Sequence, residues 1–179
     1  RSIQRPYTNG GKAYYDEISK RYRGGETQQA DSVKTDTGKA YKTNGGKAVY
    51  DKGGITPDHF IAMDTSGFSK NSAQIYNKGT IGNFAYNFYL QNLARLKTYN
   101  SPADFIKGFS FTDENWNQFV QSAAKDSVNI SSASAKENAD LTNQIKSSIA
   151  RQLWRNDGFF EVTNTTDQAI TSSLELLNK

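Results

Sequence analysis

The strongest constraint on how this chain folds is a change of hydrophobic pattern near residue 66. From Ser69 onward, apolar side chains recur at spacings of three and four residues, which is the period of an amphipathic α-helix. The clearest run spans residues 81–96, and we expect it to be the most deeply buried helix. Its apolar positions are Ile81, Phe84, Ala85, Phe88, Tyr89, Leu93 and Leu96, widened by Tyr86 and Leu90. The pattern predicts an all-helical domain over residues 67–179.

Helix start signals support this division. A capping hydroxyl, followed by a proline or a carboxylate in the first turn, satisfies free backbone N–H groups and complements the helix dipole. A Glu or Gln three residues after the cap predicts a reciprocal capping box. The predicted starts are Ser101 with Pro102 and Asp104, Thr112 with Asp113 and Glu114, a box at residues 134–137, and a box at residues 165–168.

These starts are followed by apolar stripes. We expect the helix after residue 134 to stop at Gly158, because glycine favours helix C-termini. The predicted buried positions of the three later helices are Trp116, Phe119, Val120 and Ala123, then Leu141, Ile145, Ile149 and Leu153, then Ile170, Leu174 and Leu177.

The first domain, residues 1–66, has a different composition. Residues 1–58 hold 9 of the 14 glycines and carry 11 Lys or Arg against 7 Asp or Glu, whereas the remaining residues carry 11 of each. The sequence Asn-Gly-Gly-Lys-Ala occurs at residues 9–13 and again at 44–48. Because Asn-Gly and Gly-Gly pairs favour tight turns, we expect each copy to form a hairpin-like turn that leads into a short strand. The fold class predicted for the whole chain is α+β, mainly α.

The rest of the first domain is predicted from local pattern. Residues 14–23 repeat apolar side chains every four positions and predict a helix that ends at the Gly-Gly pair at 24–25. Residues 26–43 are polar and lack periodicity, which predicts a mobile arm. Short strands are expected at residues 48–50 and 59–63.

Composition excludes several kinds of chemistry. The chain has no cysteine and one histidine, so disulfides, a cysteine nucleophile and a multi-histidine metal centre are ruled out. We therefore predict neither a metal nor a cofactor. No run of apolar residues approaches the length of a membrane span. The chain begins at Arg1 without a methionine, and we expect it to be part of a longer protein.

Ser122 and Lys125 match the Ser-x-x-Lys spacing, which places a hydroxyl and an amine on one helix face. A lysine acts as a base toward serine only when its surroundings remove its proton, and no apolar pocket is evident around Lys125. About one such match is expected by chance in a chain with this many serines and lysines. We interpret the pair as background.

His59 lies between Asp58 and Asp64, an order that suggests an imidazole oriented by a carboxylate. A triad would also need a serine on a strained turn, and Gly-x-Ser-x-Gly does not occur, so we interpret His59 as structural. The adjacent acids at residues 16–17 and 113–114 diverge on a helix, and we interpret them as a solvated face and a first turn.

The first third is basic and rich in tyrosine, a composition typical of surfaces that bind nucleic acid or other anions. Its carboxylates are interleaved with the cations, which weakens the field, so we predict no nucleic-acid partner. The Gly-Gly-Lys segments lack the remaining residues of a phosphate-binding loop. Asn129 and Asn164 match the glycan-acceptor pattern, which is meaningful only in a eukaryotic secretory setting.

Three segments together resemble a known enzyme family. They are Arg-Ser-Ile-Gln-Arg-Pro-Tyr at residues 1–7, Gly-Gly-Ile-Thr-Pro-Asp at 53–58 with Phe-Ile and Asp-Thr after it, and Ile-Ala-Arg-Gln-Leu-Trp at 149–154 followed by Phe159 and Phe160. In their order and spacing they are similar to the carboxyl-terminal processing, or tail-specific, serine peptidases of Bacteroidetes-type bacteria. A tyrosine-rich insertion like that at residues 14–50 separates the first two segments in that subgroup.

The resemblance implies a parent hydrolase that cleaves proteins near their C-termini with a serine nucleophile and a lysine base. In that family both catalytic segments precede the position that matches Arg1, so we assign no catalytic, cofactor-binding or metal-binding residue here and expect this chain to be inactive alone. The implied partners are protein substrates, the upstream catalytic core and a PDZ domain. A homo-oligomer and a periplasmic, cell-envelope or secreted location are also implied.

Two other classes of function stay open at this stage. The chain is alternatively a binding module for protein or glycan surfaces, which a cleft lined by exposed aromatic rings would favour. It is alternatively a weak nucleic-acid binder, which binding that collapses with rising salt would favour.

Overall fold

The computed structural model describes residue 7 and residues 9–32, 39–50, 58–64 and 69–178. Across these residues the chain is mainly helical, with one two-stranded antiparallel sheet. The predicted fold class, α+β and mainly α, is confirmed. The chain divides into two units, Arg1–Asp64 and Thr65–Lys179, whereas the sequence pattern placed the boundary after residue 66.

Within the described residues, the first unit contains one α-helix and one hairpin. Helix α1 spans Gly10–Arg23, and a 3₁₀ helix follows at Ala30–Ser32. Strands β1 (Ala40–Lys42) and β2 (Ala48–Tyr50) pair with Tyr41 opposite Val49. The 3₁₀ helix and β1 fall inside the range predicted to be an unstructured arm, so that prediction is wrong for these two stretches.

The two Asn-Gly-Gly-Lys-Ala copies fold differently. The second forms the predicted hairpin turn, in which Gly46 has φ of 81° and the Thr43 N–H donates to the Lys47 carbonyl at 2.9 Å. The first copy instead begins α1, so the turn and strand predicted there are wrong. The helical period after residue 13 extends back through the glycines, whereas the second copy is followed after four residues by a Gly-Gly pair that leaves no room for a helix.

Residues 59–63 were predicted to form a strand and do not. Among them, the Met63 N–H donates to the Thr27 carbonyl at 2.8 Å. The described sheet contains only β1 and β2, so no described strand pairs with this stretch. The segments at 1–6 and 53–57 that resemble the peptidase family lie outside the described residues.

Across its described residues, the first unit shows no closed core of its own. None of its described residues is buried, and the apolar side chains of α1, such as Tyr15, Ile18 and Tyr22, are exposed. Since burial of apolar surface is the main source of folding free energy, the described residues of this unit lack the contacts that stabilise an independent domain.

The second unit is a helical bundle. Its helices are α2 (Lys70–Asn77), α3 (Thr80–Gln91), α4 (Leu93–Leu96), α5 (Pro102–Gly108), α6 (Asp113–Lys125), α7 (Ala135–Asn164) and α8 (Gln168–Leu177). Helix α3 packs against α7 and α6, and α5 packs against α7.

Contacts between aromatic rings join several helices in the core of this bundle. Phe84 of α3 meets Phe119 of α6 edge to face, with ring centroids 5.2 Å apart. Phe105 of α5 stacks on Phe109 at 4.6 Å and meets Trp154 of α7 at 5.9 Å. Fully burying one such ring contributes about 1.5–3 kcal/mol. The remaining buried apolar positions include Ile75, Ile81, Ala85, Phe88, Leu96, Ala123, Val128, Ile130, Leu141, Ile145, Ile149, Ala150 and Val162.

The long apolar run at residues 81–96 is only partly as predicted. It breaks at Asn92 into α3 and α4, and its buried face is narrower than expected because Tyr86 and Leu90 are each 50% exposed. On a straight helix these two positions lie on the side opposite Phe84 and Phe88, which fill the core.

Most predicted helix starts are confirmed, but α8 begins later in the sequence than predicted. Ser101 and Thr112 accept hydrogen bonds from the N–H groups of Asp104 and Asn115 at 3.1 and 3.3 Å. The box predicted at residues 165–168 is wrong, because Asp167 caps α8 by accepting from the N–H groups of residues 169 and 170.

Helix α7 is a hairpin of two helical halves. Trp154 (φ −128°, ψ 18°) and Arg155 (φ 56°, ψ −136°) are non-helical. The Asn143 side-chain amide donates to the Thr166 hydroxyl at 2.7 Å, although in a straight helix these residues would lie about 34 Å apart. Residues 156–164 therefore fold back along residues 135–153.

The predicted stop at Gly158 is thus wrong, since the break comes before it and Gly158 lies buried inside the returning half. Gly158 allows the two halves of α7 to approach each other closely. A Cβ added at this position would lie 2.7 Å from the Ala150 carbonyl oxygen and 3.1 Å from the Cβ of Trp154.

Replacing Gly158 by alanine is expected to lower the free energy of unfolding of the helical unit by about 1–3 kcal/mol, because the new methyl group overlaps backbone atoms that cannot move independently. Urea unfolding followed by tryptophan fluorescence measures this change, since both tryptophans lie in the helical unit. The matched control is Gly82→Ala on the exposed face of α3, where an added Cβ meets nothing within 4 Å. It should raise the free energy of unfolding by about 0.5–1 kcal/mol through helix propensity. An increase in the free energy of unfolding for both variants would contradict the close packing of the α7 hairpin.

Candidate functional site

The Ser122–Lys125 pair does not form a nucleophile and base. Ser122 is half-buried on α6, whereas Lys125 is the exposed last residue of that helix. In the part of the chain that the structure describes, no hydrogen bond joins the two side chains. The geometry therefore gives this serine no base.

His59 and the acid pairs are also placed as surface groups. His59 is exposed, and the Asp58 carboxylate accepts an ion-paired hydrogen bond from the Lys47 ammonium. Asp113 and Glu114 lie exposed in the first turn of α6, as the sequence predicted. The acids at residues 16–17 are exposed on α1.

The basic, tyrosine-rich first third forms internal contacts where it is described. Tyr7 stacks on Tyr14 with centroids 4.3 Å apart, and Tyr15 packs edge-on to Tyr14 at 5.7 Å. The Arg21 guanidinium is paired with Glu26 at 2.5 Å. These contacts occupy three rings and one cation that a nucleic-acid surface would need free.

Across the described ranges no three His, Asp or Glu side chains are grouped so that they could bind a metal ion. Within the same ranges, none of the helices has both the length and the apolar character needed to cross a lipid bilayer.

One crevice of about 390 Å³ lies in the helical unit between α3, α4 and the start of α6. It is lined by Phe88, Gln91, Asn92, Arg95, Thr112, Glu114, Asn115 and Gln118. The lining is rich in amides, and its single aromatic ring, Phe88, is 3% exposed. The crevice therefore lacks the exposed rings that would favour a glycan-binding cleft.

A second polar feature was missed by sequence reasoning. Glu137, only 7% exposed, was expected to complete a capping box with Ser134. Ser134 does accept from the Glu137 N–H at 3.1 Å, but the Glu137 carboxylate instead accepts hydrogen bonds from the hydroxyls of Ser69 and Ser72. Ser69 caps α2, so the carboxylate joins the starts of two helices, α2 and α7.

Two further polar contacts lie near the Glu137 hydrogen bonds. The Thr80 hydroxyl donates to the Asp126 carboxylate at 2.5 Å, and the Asn71 amide donates to the Asn129 carbonyl at 2.7 Å. Helix α2 thus attaches to the bundle through the bonds of Ser69, Asn71 and Ser72 and through one buried apolar side chain, Ile75, while the Thr80 bond holds the start of α3. The Ser-x-x-Ser spacing at residues 69–72 was the available sequence signal, but its partner 65 residues away could not be inferred.

Three groups in the helical unit have shifted ionisation. Hydrogen bonds from Ser69 and then Ser72 hold the pKa of the Glu137 carboxyl below its usual 4.5, although burial opposes them. Burial lowers the pKa of the Lys146 ammonium. Burial, with a smaller effect of Asp140, raises the pKa of the Tyr76 phenol.

Lys146 therefore has one property of a catalytic base, but the adjacent hydroxyl is already used. The Ser147 hydroxyl donates to the carbonyls of Asn143 and Gln144 at 2.8 and 3.1 Å. These bonds hold it against its own helix and leave no nucleophile aligned with the amine. The shifted groups of this unit are best explained by packing.

Comparison with known proteins adds one finding. Residues 72–156 match the model of a family of unknown function, DUF8443. The match covers just under half of the chain and lies within the helical unit. No curated protein and no solved structure matches the chain.

The hydrogen bonds that Glu137 accepts from Ser69 and Ser72, called here the Glu137 junction, make the stability of the helical unit depend on pH. Because the folded pKa of Glu137 is lowered, its contribution is complete above pH 4.5 and is lost as the pH falls through the folded pKa. Glu137→Gln should lower the free energy of unfolding at pH 7 by about 1–3 kcal/mol, since two hydrogen bonds to a charged group are weakened. Between about pH 5 and about pH 3, this variant should also lose less free energy of unfolding than the wild type, because it lacks the titrating carboxyl.

Urea unfolding at several pH values, followed by tryptophan fluorescence, tests this prediction. The control Glu114→Gln removes an exposed carboxylate from the first turn of α6 and should change stability by less than about 0.5 kcal/mol. Equal pH profiles for wild type and Glu137→Gln would contradict the role assigned to the junction.

Proposed function

We propose that this chain is the C-terminal region of a serine-type carboxyl-terminal processing peptidase. In this proposal residues 1–64 complete a catalytic core that precedes them in the parent protein, and residues 65–179 form a helical accessory domain. The parent cleaves proteins near their C-termini with a serine and a lysine that lie upstream, after a PDZ domain has bound the substrate tail. It acts in the periplasm or cell envelope, or after secretion.

The observation that carries this proposal is the unequal burial of the two units. The helical unit buries aromatic and aliphatic side chains from α2, α3, α4, α5, α6 and α7, whereas the described residues up to Asp64 bury none. A stretch with a helix and a hairpin but no core needs apolar surface from another part of the protein. An upstream catalytic domain would supply that surface.

The sequence motifs support the same assignment. The segments at residues 1–7, 53–58 and 149–154 occur in the order found in this peptidase family, and they span both units. Chance agreement of one short motif is common, but agreement of three in order is much less so.

The described side chains suggest a structural role for this region. Ser122 has no base, the Ser147 hydroxyl is bonded to its own helix, and His59 is solvated. We infer that the helical domain supports the catalytic core or shapes access to its cleft, while proton transfer and nucleophilic attack take place on upstream residues.

The sequence encoded before Arg1 provides the first test. We expect an open reading frame that continues upstream and encodes a serine segment and a Gly-Lys-Gly segment. If no coding sequence precedes Arg1, the proposal is wrong.

The second test compares activities. The 179-residue chain should not hydrolyse casein, whereas the chain extended upstream to the start of its gene should do so, with a loss of at least about 10³-fold when the upstream serine is replaced by alanine. Ser122→Ala in the extended protein is the matched control and should leave the rate unchanged. Casein cleavage by the 179-residue chain that Ser122→Ala abolishes would overturn the proposal.

A further inference from the structure

We propose that this protein forms a domain-swapped dimer in which residues 156–178 exchange between two copies of the chain. In the exchange the turn at Trp154–Arg155 straightens and the two halves of α7 become one continuous helix. The returning half then packs on the second copy, and α8 moves with it. This inference rests on the geometry of the α7 hairpin and is independent of the proposed function.

The first argument is backbone strain at the hinge. Arg155 has φ of 56° and ψ of −136°, a conformation that glycine adopts readily and that a side chain with a Cβ strongly disfavours. At the α2–α3 corner, by contrast, the positive φ of 68° is taken by a glycine, Gly79. The hairpin form of α7 therefore carries strain that a straightened hinge does not.

The second argument is the sequence of the hinge. Residues 149–157 contain neither glycine nor proline and include alanine, leucine, glutamine and two arginines, which are strong helix formers. Only two residues interrupt the helix, so the strain cannot be relieved by rearranging a longer loop. Short, strained hinges are the setting in which domain swapping is favoured.

The third argument is that the exchanged segment has a well-defined docking site. Val162 is 1% exposed, Gly158 lies against Ala150, and the Asn143 amide binds the Thr166 hydroxyl. Each of these contacts joins the returning half to residues before the hinge or to the core, so each can be remade with an identical second copy. Since the contacts are the same in both forms, hinge strain and protein concentration decide the balance.

A disulfide experiment tests the exchange directly, because the protein has no cysteine of its own. Chains carrying only Asn143→Cys are mixed with chains carrying only Thr166→Cys, unfolded together in urea, refolded and mildly oxidised. The two side chains are in hydrogen-bond contact in the folded protein, so a swapped dimer should give a 143–166 disulfide between different chains as the dominant product.

The control mixture pairs Thr166→Cys with Thr98→Cys, an exposed position between α4 and α5. It should give only the low level of disulfide that arises from random collisions. If the 143–166 product does not exceed this control, the exchange does not occur and the proposal fails.

Variants of Arg155 test whether backbone strain at the hinge drives the exchange. Arg155→Gly removes the strain of the hairpin form, whereas Arg155→Ala keeps it and favours the straight helix. A dimer contains two hinges, so the dimer dissociation constant should be roughly 10²-fold higher for Arg155→Gly than for Arg155→Ala. Light scattering after size-exclusion chromatography measures both constants, and far-UV circular dichroism checks that both variants are folded.

The matched control is the pair Gln152→Gly and Gln152→Ala, one turn before the hinge, where the backbone is helical in both forms. These two variants should differ in dissociation constant by less than about threefold. Equal constants for the two Arg155 variants would overturn the proposal, as would a wild-type protein that stays monomeric up to about 500 µM after co-refolding.

Discussion

The packing of α3 against the first half of α7 is the interaction on which the rest of the structure depends. Phe84 and Phe88 on one helix and Ile145 and Ile149 on the other are buried in the same core, and α5 and α6 add their aromatic rings around this pair. With no disulfide available, this buried apolar surface supplies most of the driving force for folding. The polar bonds of Glu137 then fix where α2 joins the bundle.

Local sequence signals predicted what depends on neighbouring residues. Ser101 and Thr112 cap helices as expected, because a cap and its N–H partners lie within three residues. The signals failed where a distant partner decides. Glu137 has the spacing of a capping box, but its carboxylate binds two serines that are remote in sequence, and only the folded bundle brings them together.

The α7 hairpin illustrates the same limit for backbone conformation. Gly158 was a reasonable helix stop, yet the chain reverses at Trp154–Arg155, where propensity favours a continuous helix. Tertiary packing of residues 156–164 overrides that local preference and leaves strain at Arg155. The candidate catalytic residues were predicted to be background from sequence, and their described surroundings give them no base or pocket. The first unit could be predicted only in part, because none of its described residues is buried and no apolar core fixes where its helix and strands lie.

The central proposal is that residues 1–64 depend on apolar surface from an upstream core, whereas the helical unit closes its own core. Hydrogen exchange of the 179-residue chain, compared with the chain extended to the start of its gene, tests this claim most directly. Amides of α1 should exchange rapidly in the shorter chain and become roughly a hundredfold more protected in the extended one, while those of α3 stay protected in both. Strong protection of α1 in the 179-residue chain alone, unchanged by the extension, would contradict the claim.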